Sequence, residues 1–383
     1  MIPRLLLSLI LICLLYPLEA QVVNIPDPNF KTALLRHTPP VDLDKDGEIQ
    51  VSETAAFKGK LFIQSKNITD MTGIEAFTSM DTLFAGFNEI DTLDLTKNVQ
   101  LSVLNLNTSG NLKEVSVTGL KKLKSIDLAQ SGNLKRLDVT TNTGLEILKI
   151  AFSPFSDSLD LSNNPNLKHL TLYGLTNLHF IQWSDTAPYL KLQEIIISQS
   201  QMKSIPFHQF PNLTYLVSRD AQLSEMDLSK CPKINQLFCS GMPELTLVNL
   251  LNGDLNNLMD LNFTNCPKLQ HICVKDSIKA RNNKNWKVDD PEVYSESFCK
   301  GTRTTQPYSS WDVFPNPVQT HLFMGDIPQS ALLQLRCYNQ MGQRIYPKQD
   351  AHTLDFSPFE NGLYLLQIPV KTGELVTWKI VKR

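Results

Sequence analysis

The sequence predicts an α/β-type solenoid, a right-handed coil with a parallel β-sheet, followed by a small all-β sandwich. Three observations lead there. Hexads of the form LxxLxL recur with their middle residues 21 to 25 positions apart, at Phe62, Phe84, Asn105, Asp127, Lys149, Thr171, Ile196, Val217 and Phe238. A second ladder runs half a period out of phase through Asp94, Ser116, Asp138, Asp160 and Asp227. After Cys299 the repeat stops, and short alternating segments separated by Gly and Pro turns take over. A period of this length means that each repeat is one coil, unable to bury its apolar face alone. Strand side chains alternate by two, so the leucines of segments such as LKRLDV (Leu134–Val139) and LEILKI (Leu145–Ile150) point into a shared core. The residues between them are pushed to the surface.

In chain order, residues 1–20 read as a secretory signal. Arg4 supplies the positive start, Leu5–Tyr16 the apolar run, and Leu18-Glu19-Ala20 a cleavage site before Gln21. That run is shorter than the ~20 residues of a membrane-spanning helix. No other stretch could span a membrane, so no transmembrane segment is expected.

Residues 21–58 form the expected N-terminal cap. Pro28 suits the first position of a helix, with Asp27 as its cap. The segment DLDKDGEIQVSE, Asp42–Glu53, then fits a twelve-residue calcium loop of the EF-hand type. Asp42, Asp44 and Asp46 offer carboxylates, Gly47 allows the sharp turn, and Glu48 offers its backbone carbonyl. Gln50 can hold a water, and Glu53 can close the site with two oxygens. A hard cation wants six or seven oxygens, which one short loop can supply. Pro39 and Pro40 interrupt the entering helix and no second loop follows, so Ca2+ is expected in a structural role. The competing reading is a solvated acidic turn.

Residues 59–299 form the solenoid with its C-terminal cap. The hexads, together with Leu61-Phe62-Ile63 and the following NITDMTGIEAF (Asn67–Phe77), resemble the leucine-rich repeat family. More narrowly, they resemble secreted leucine-rich repeat proteins of Bacteroidota. The resemblance covers roughly residues 61–275 and is specific for fold rather than ligand. The family asparagine after the strand is often absent, and Leu251–Asp260 lengthens one coil. The group also carries acidic loops before its first repeat, which implies a cap over the open edge of the core. Six cysteines lie beyond the signal, and Cys273 with Cys299 is the candidate disulfide. Its rival is a metal site from Cys266, His271, Cys273 and Cys299, which lacks any CxxC pair.

Residues 300–310 are polar and unpatterned, a linker. In residues 311–383, short strands with turns at Gly342, Asn361-Gly362 and Gly373 imply the sandwich. FPNP (Phe314–Pro317), Gly342, NGLYLLQI (Asn361–Ile368) and KIVKR (Lys379–Arg383) occur in order. They are similar to the type A sorting domain of the type IX secretion system. The resemblance implies recognition by that machinery, passage across the outer membrane and removal of the module near the linker.

Thirty-six basic against 38 acidic residues give a net charge of −2 with no basic patch, which argues against nucleic acid. The seven histidines form no HExxH pair, and no GxSxG elbow or phosphate-binding glycine loop is present. An enzyme is not expected. The recurring aspartates of the second ladder read as repeat consensus. Asp-Ser/Thr-apolar triplets at Asp81, Asp91, Asp157, Asp185 and Asp276 resemble O-glycosylation acceptors of this phylum. A recognition surface must vary from coil to coil, so Phe84, Asn105, Asp127, Lys149, Thr171, Ile196, Val217 and Phe238 are assigned to a concave binding sheet. Phe84 and Phe238 are its expected anchors. The expected function is partner binding, to a protein or glycan, at the cell surface or outside the cell. The alternatives are an exported enzyme with an unrecognised site and a structural surface component.

Overall fold

The apolar column of the hexads sets the architecture. Leu83, Leu104, Ile126, Leu148, Leu170, Ile195, Leu216 and Leu237 are fully buried. Each is in register with its counterpart in the next coil. Burial of one such side chain is worth roughly 1.5–3 kcal/mol, and the column repeats it in every coil. In this computed structural model, residues 21–296 are described apart from 156–157, 185 and 253–256. Residues 313–383 are described apart from 315, 325–326, 328–331, 333, 351–352 and 370–374. The signal segment, the linker 300–310 and Cys299 lie outside the described residues.

One face of the solenoid is an 11-stranded parallel sheet running from Gly59–Phe62 to Trp286–Val288. Between its strands the chain crosses to the opposite side, where the second ladder forms separate parallel sheets of two, two and four strands. Helices are few. The long sheet continues past Phe238 through Asp260–Phe263 and Trp286–Val288, so Asn262 and Lys287 extend the first ladder.

Turn chemistry explains the second ladder. Asp94, Asp138, Asp160 and Asp227 each accept the backbone N–H two residues on, from Thr96, Thr140, Ser162 and Ser229. A short carboxylate folding back on its own turn is a local device that any coil can reuse. Four residues beyond three of these aspartates lie Asn98, Asn142 and Asn164, all fully buried. Their amides donate to carbonyls of the preceding coil, as Asn142 does to Val117 at 2.9 Å and Leu120 at 3.0 Å. The asparagines that stitch coil to coil therefore follow mainly the second ladder. After the long sheet, Asn88 plays that part once, and Ser109, Ser131, Ser153 and Ser200 fill the equivalent slot.

Every coil but the last also leaves the long sheet through a left-handed residue three positions past the ladder. These are Ser65, Phe87, Thr108, Gln130, Phe152, Gly174, Gln199, Asp220, Gly241 and Asn265, with φ between 53° and 70°.

At the N-terminal end, helix α1 (Pro28–Leu35) is capped by Asp27. One oxygen of Asp27 accepts from the N–H groups of Asn29 and Phe30. The other accepts from the Thr69 N–H and hydroxyl and the Asp70 N–H of the first coil. Burial alone would raise this carboxyl, but those donors hold it down at about 2. His37 Nε2 accepts the Phe62 N–H at 2.9 Å, which satisfies a donor on the open edge of the sheet. Its Nδ1 must then carry the proton toward the Pro39 carbonyl, 2.7 Å away. Gly73, at φ 104°, lets the cap strand approach: a Cβ there would lie 2.9 Å from the Asn24 carbonyl oxygen.

Helix α2 (Val51–Ala56) follows the acidic loop, and helix α3 (Ser277–Arg281) belongs to the far end. Cys231, Cys239 and Cys266 are buried free thiols of the solenoid, and burial pushes Cys231 up to about 12. Cys273 is disulfide-bonded. That removes it as a thiolate metal ligand, so the rival Cys/His metal site is set aside.

The C-terminal module has two four-stranded antiparallel sheets. One contains His321–Met324 and Thr353–Asp355, the other Arg336–Asn339, Gly362–Pro369 and Leu375–Lys382. Its own core holds Leu322, Leu354, Phe356, Leu366 and Ile380. Asn316 of the FPNP segment clamps the last strand: its amide donates to the Lys379 carbonyl at 2.6 Å, and its oxygen accepts from the Val381 N–H at 2.8 Å.

Candidate binding surface

The long sheet presents the ladder residues outward in one row. Phe84, Asn105, Asp127, Lys149, Thr171 and Ile196 stand side by side in strand register. Lys149 is exposed, and the others of this run are half-buried by their neighbours. Val217 corrects the expectation: it is only 8% exposed. It is small and sits in register between Ile196 and Phe238, so their larger side chains close over it.

The two expected anchors differ. Phe84 stacks on Phe62 with centroids 5.1 Å apart and planes 15° from parallel, and Phe62 itself is 47% exposed. Phe238 packs against Tyr215 at 6.0 Å, and the Arg219 guanidinium lies 5.9 Å from its ring centroid. The N-terminal anchor is therefore an aromatic pair, and the C-terminal one is partly covered by a cation. Between them lie His169 and Glu194, 3.2 Å apart across adjacent coils. At the edge where the strands begin, Glu146 bonds Lys168 at 2.6 Å, which with Lys124 holds its carboxyl below the usual range.

Sequence reading missed three aromatic residues at the other edge. Phe87 and Phe152 are each 52% exposed, and Tyr173 meets Phe152 edge-on at 4.9 Å. Their signal was present only as two aromatics at the third position past the ladder, a slot that small and polar residues otherwise occupy.

The acidic loop brings Asp42, Asp44 and Asp46 together, with one carboxylate oxygen of each within 4.8 Å of the others. The Asp46 N–H lowers the Asp44 carboxyl, yet lost hydration and the charges of Asp46, Glu53 and Asp42 together leave it above its usual range. Gln50 reaches in, its amide donating to Asp46 at 2.8 Å, while its side chain also caps the following helix in a box with Glu53. Glu53 is not in this group: its oxygens accept from the Leu43 and Gln50 N–H groups, at 2.6 and 2.9 Å. The Glu48 side chain pairs with Lys31 at 2.7 Å, which leaves only its carbonyl for a loop ligand. Three clustered carboxylates beside a loop carbonyl are a fit donor set for a hard cation.

Residues 44–142 match the model of the endo-beta-N-acetylglucosaminidase EndoS LRR domain. Residues 312–383 match the secretion system C-terminal sorting domain. The chain is a leucine-rich repeat protein with a type IX sorting domain. No curated protein matches this leucine-rich repeat protein. Among solved structures it is similar to the functional domain of InlJ from Listeria monocytogenes, at 18% identity over 96% of this chain and 100% of that one, with TM-score 0.39. An internalin, inlF, of the same organism matches at 18% identity over 72% and 97%, with TM-score 0.34. The fold rests on strand order and register. The sorting domain directs the protein through type IX export to the cell surface or the medium. Among the described residues no helix is long and apolar enough to cross a membrane.

Proposed function

We propose that this exported protein recognises a partner through the row of variable residues on its long sheet. One observation supports the reading above others. Asn105, Asp127 and Asn262 on the long sheet use the same fold-back turn bond as the aspartates opposite, to Asn107, Ala129 and Thr264. The slot therefore accepts Asp or Asn on either side. Phe84, Lys149, Thr171, Ile196, Val217 and Phe238 forgo a bond worth about 0.5–1.5 kcal/mol. Most coils of the long-sheet row give up this local stabiliser, whereas Asp94, Asp138, Asp160, Asp227 and Asn249 keep it in the opposite row, which fits selection for what the long-sheet row touches. The partner is a protein or glycan met outside the cell, as in adhesion. The test is capture of partners by the purified exported protein, beside Phe62→Ala/Phe84→Ala and Asp138→Ala/Asp160→Ala. The phenylalanine pair is expected to weaken capture about tenfold or more. Loss through the aspartate pair alone would reverse the two faces, and turnover of a captured substrate would make the protein an enzyme.

We infer also that the acidic loop holds Ca2+ through Asp42, Asp44 and Asp46, the Glu48 carbonyl and Gln50, with Glu53 able to lend its remaining lone pairs. The ion's task is to neutralise three carboxylates and stiffen the cap. Millimolar calcium is then expected to stabilise the cap by roughly 1 kcal/mol. Thermal unfolding with calcium and with chelator measures this, and an equal midpoint in both, matching Asp46→Ala, removes the ion.

A further inference from the structure

We propose that a neutral oligosaccharide lies along the exit edge of the long sheet, its rings stacked on Phe87 and Phe152 and its hydroxyls bonded by Thr108 and Gln130. The proposal deepens the binding reading above and rests on it, but moves the principal contact from the sheet centre to its edge.

Backbone conformation gives the first reason. Phe87 and Phe152 occupy the left-handed exit position at φ 57° and 53°. A side chain with a Cβ costs on the order of 1–2 kcal/mol there, and a bulky one is unusual. Two later coils meet the same demand with Gly174 and Gly241. Nothing in the core compensates the phenylalanines, since each is 52% exposed. Local strain kept without burial points to a task at the surface.

The platform around Phe152 is preformed. A Cβ on Gly174, in the next coil, would lie 2.9 Å from Phe152 Cδ1, so the glycine makes room for the ring. Tyr173 holds the other side edge-on, at 71° and 4.9 Å. The coils between the two phenylalanines place Thr108 and Gln130 at the same exit position, and the Thr108 hydroxyl donates to Gln130 Oε1 at 2.9 Å. That bond orients the exposed Gln130 amide and leaves its N–H donors without another partner among the described residues.

Charge selects the ligand class. From residues 64–65 to 198–199, the two exit positions of each coil carry no charged side chain, and charge returns only at Arg219 and Asp220. An uncharged strip offers a polyanion nothing. A protein hot spot gathers its aromatic residues at the centre of a patch, whereas here they stand at the two ends of a polar pair. Three coil steps at ~4.8 Å separate them by about 14 Å. A short linear sugar chain spans that distance, placing C–H faces on the electron-rich ring faces and hydroxyls on the amide and hydroxyl between.

The test titrates the full exported chain with linear gluco-, manno- and N-acetylglucosamine oligomers, and with heparin and hyaluronan fragments as charged controls. Saturable binding of a neutral oligomer is expected, weakened about tenfold by Phe152→Ala or Phe87→Gly and unchanged by Asp138→Ala on the opposite ladder. Phe87→Gly relieves the left-handed strain, so its thermal midpoint should stay level or rise while binding falls; Gly174→Ala should weaken binding by displacing the Phe152 ring. Binding of charged fragments alone overturns the proposal. So does a protein partner captured through Phe84 with no neutral oligomer bound, an outcome that leaves the broader binding reading standing. Failure of both the oligomers and the protein capture overturns the two together.

Discussion

The solenoid and the C-terminal module solve the same problem, an exposed sheet edge, in opposite ways. The solenoid is one-dimensional: its sheet ends at Gly59–Phe62 and must be covered from outside, by α1, the acidic loop and the His37 imidazole. The module covers its last strand from within, with Asn316 near its start bonded to Lys379 and Val381 near its end. An open array needs a cap and gives a long surface in return. A sandwich that clasps its own last strand needs no separate cap there, which suits a module that must fold whatever precedes it.

The largest expected effect tests independence of the two cores. Leu148→Ala should cost about 2–5 kcal/mol in the solenoid, and Leu366→Ala a similar amount in the module, because both side chains are fully buried. Calorimetry should show each substitution moving its own transition alone. A shared shift would mean that the two regions unfold as one.

Next in size is the cap. Asp27 has its carboxyl lowered from 3.8 to about 2, so its stabilisation is complete above 3.8 and vanishes as pH falls through about 2. The loss is about 2 kcal/mol. Following unfolding of the parent and Asp27→Ala from pH 5 to pH 2 should show the parent's extra stability disappearing in that window. Parallel curves would remove Asp27 as the clasp between cap and first coil.

The smallest effect concerns the module's closure. Asn316→Ala removes two exposed hydrogen bonds and should lower its stability by about 1 kcal/mol. Cell fractionation should then show less of the protein at the surface. Unchanged export with a lowered midpoint would separate the clamp from recognition by the secretion machinery.

The leucines made the coils legible because burial tolerates little else at a period-two position, and every inward hexad residue from Leu83 to Leu237 reports it. The ladder faded after Phe238 because its last two steps lengthen and end on Trp286 rather than leucine. Val217 was misplaced because exposure on a flat sheet depends on the size of its neighbours, which period alone does not weigh. Phe87 and Phe152 escaped notice for another reason. Their importance lies in a backbone angle, and a lone phenylalanine in a turn looks like any other until φ is known. The stitching asparagines were sought after the long sheet, where serine has mostly replaced them.

The three buried thiols of the solenoid set a condition on how the protein must mature. Cys231 and Cys266 have turned their Sγ atoms onto the carbonyls of Phe207 and Cys239, at 3.3 and 3.4 Å. With burial raising all three, almost no thiolate exists near neutral pH to attack a disulfide. Outside the cytoplasm the surroundings are oxidising, and the finished coils are inert there while Cys273 keeps its bridge. An unfolded chain has no such shelter. Oxidation must therefore wait for the coils to close, and refolding in reductant before adding oxidant should yield more native protein than the reverse order.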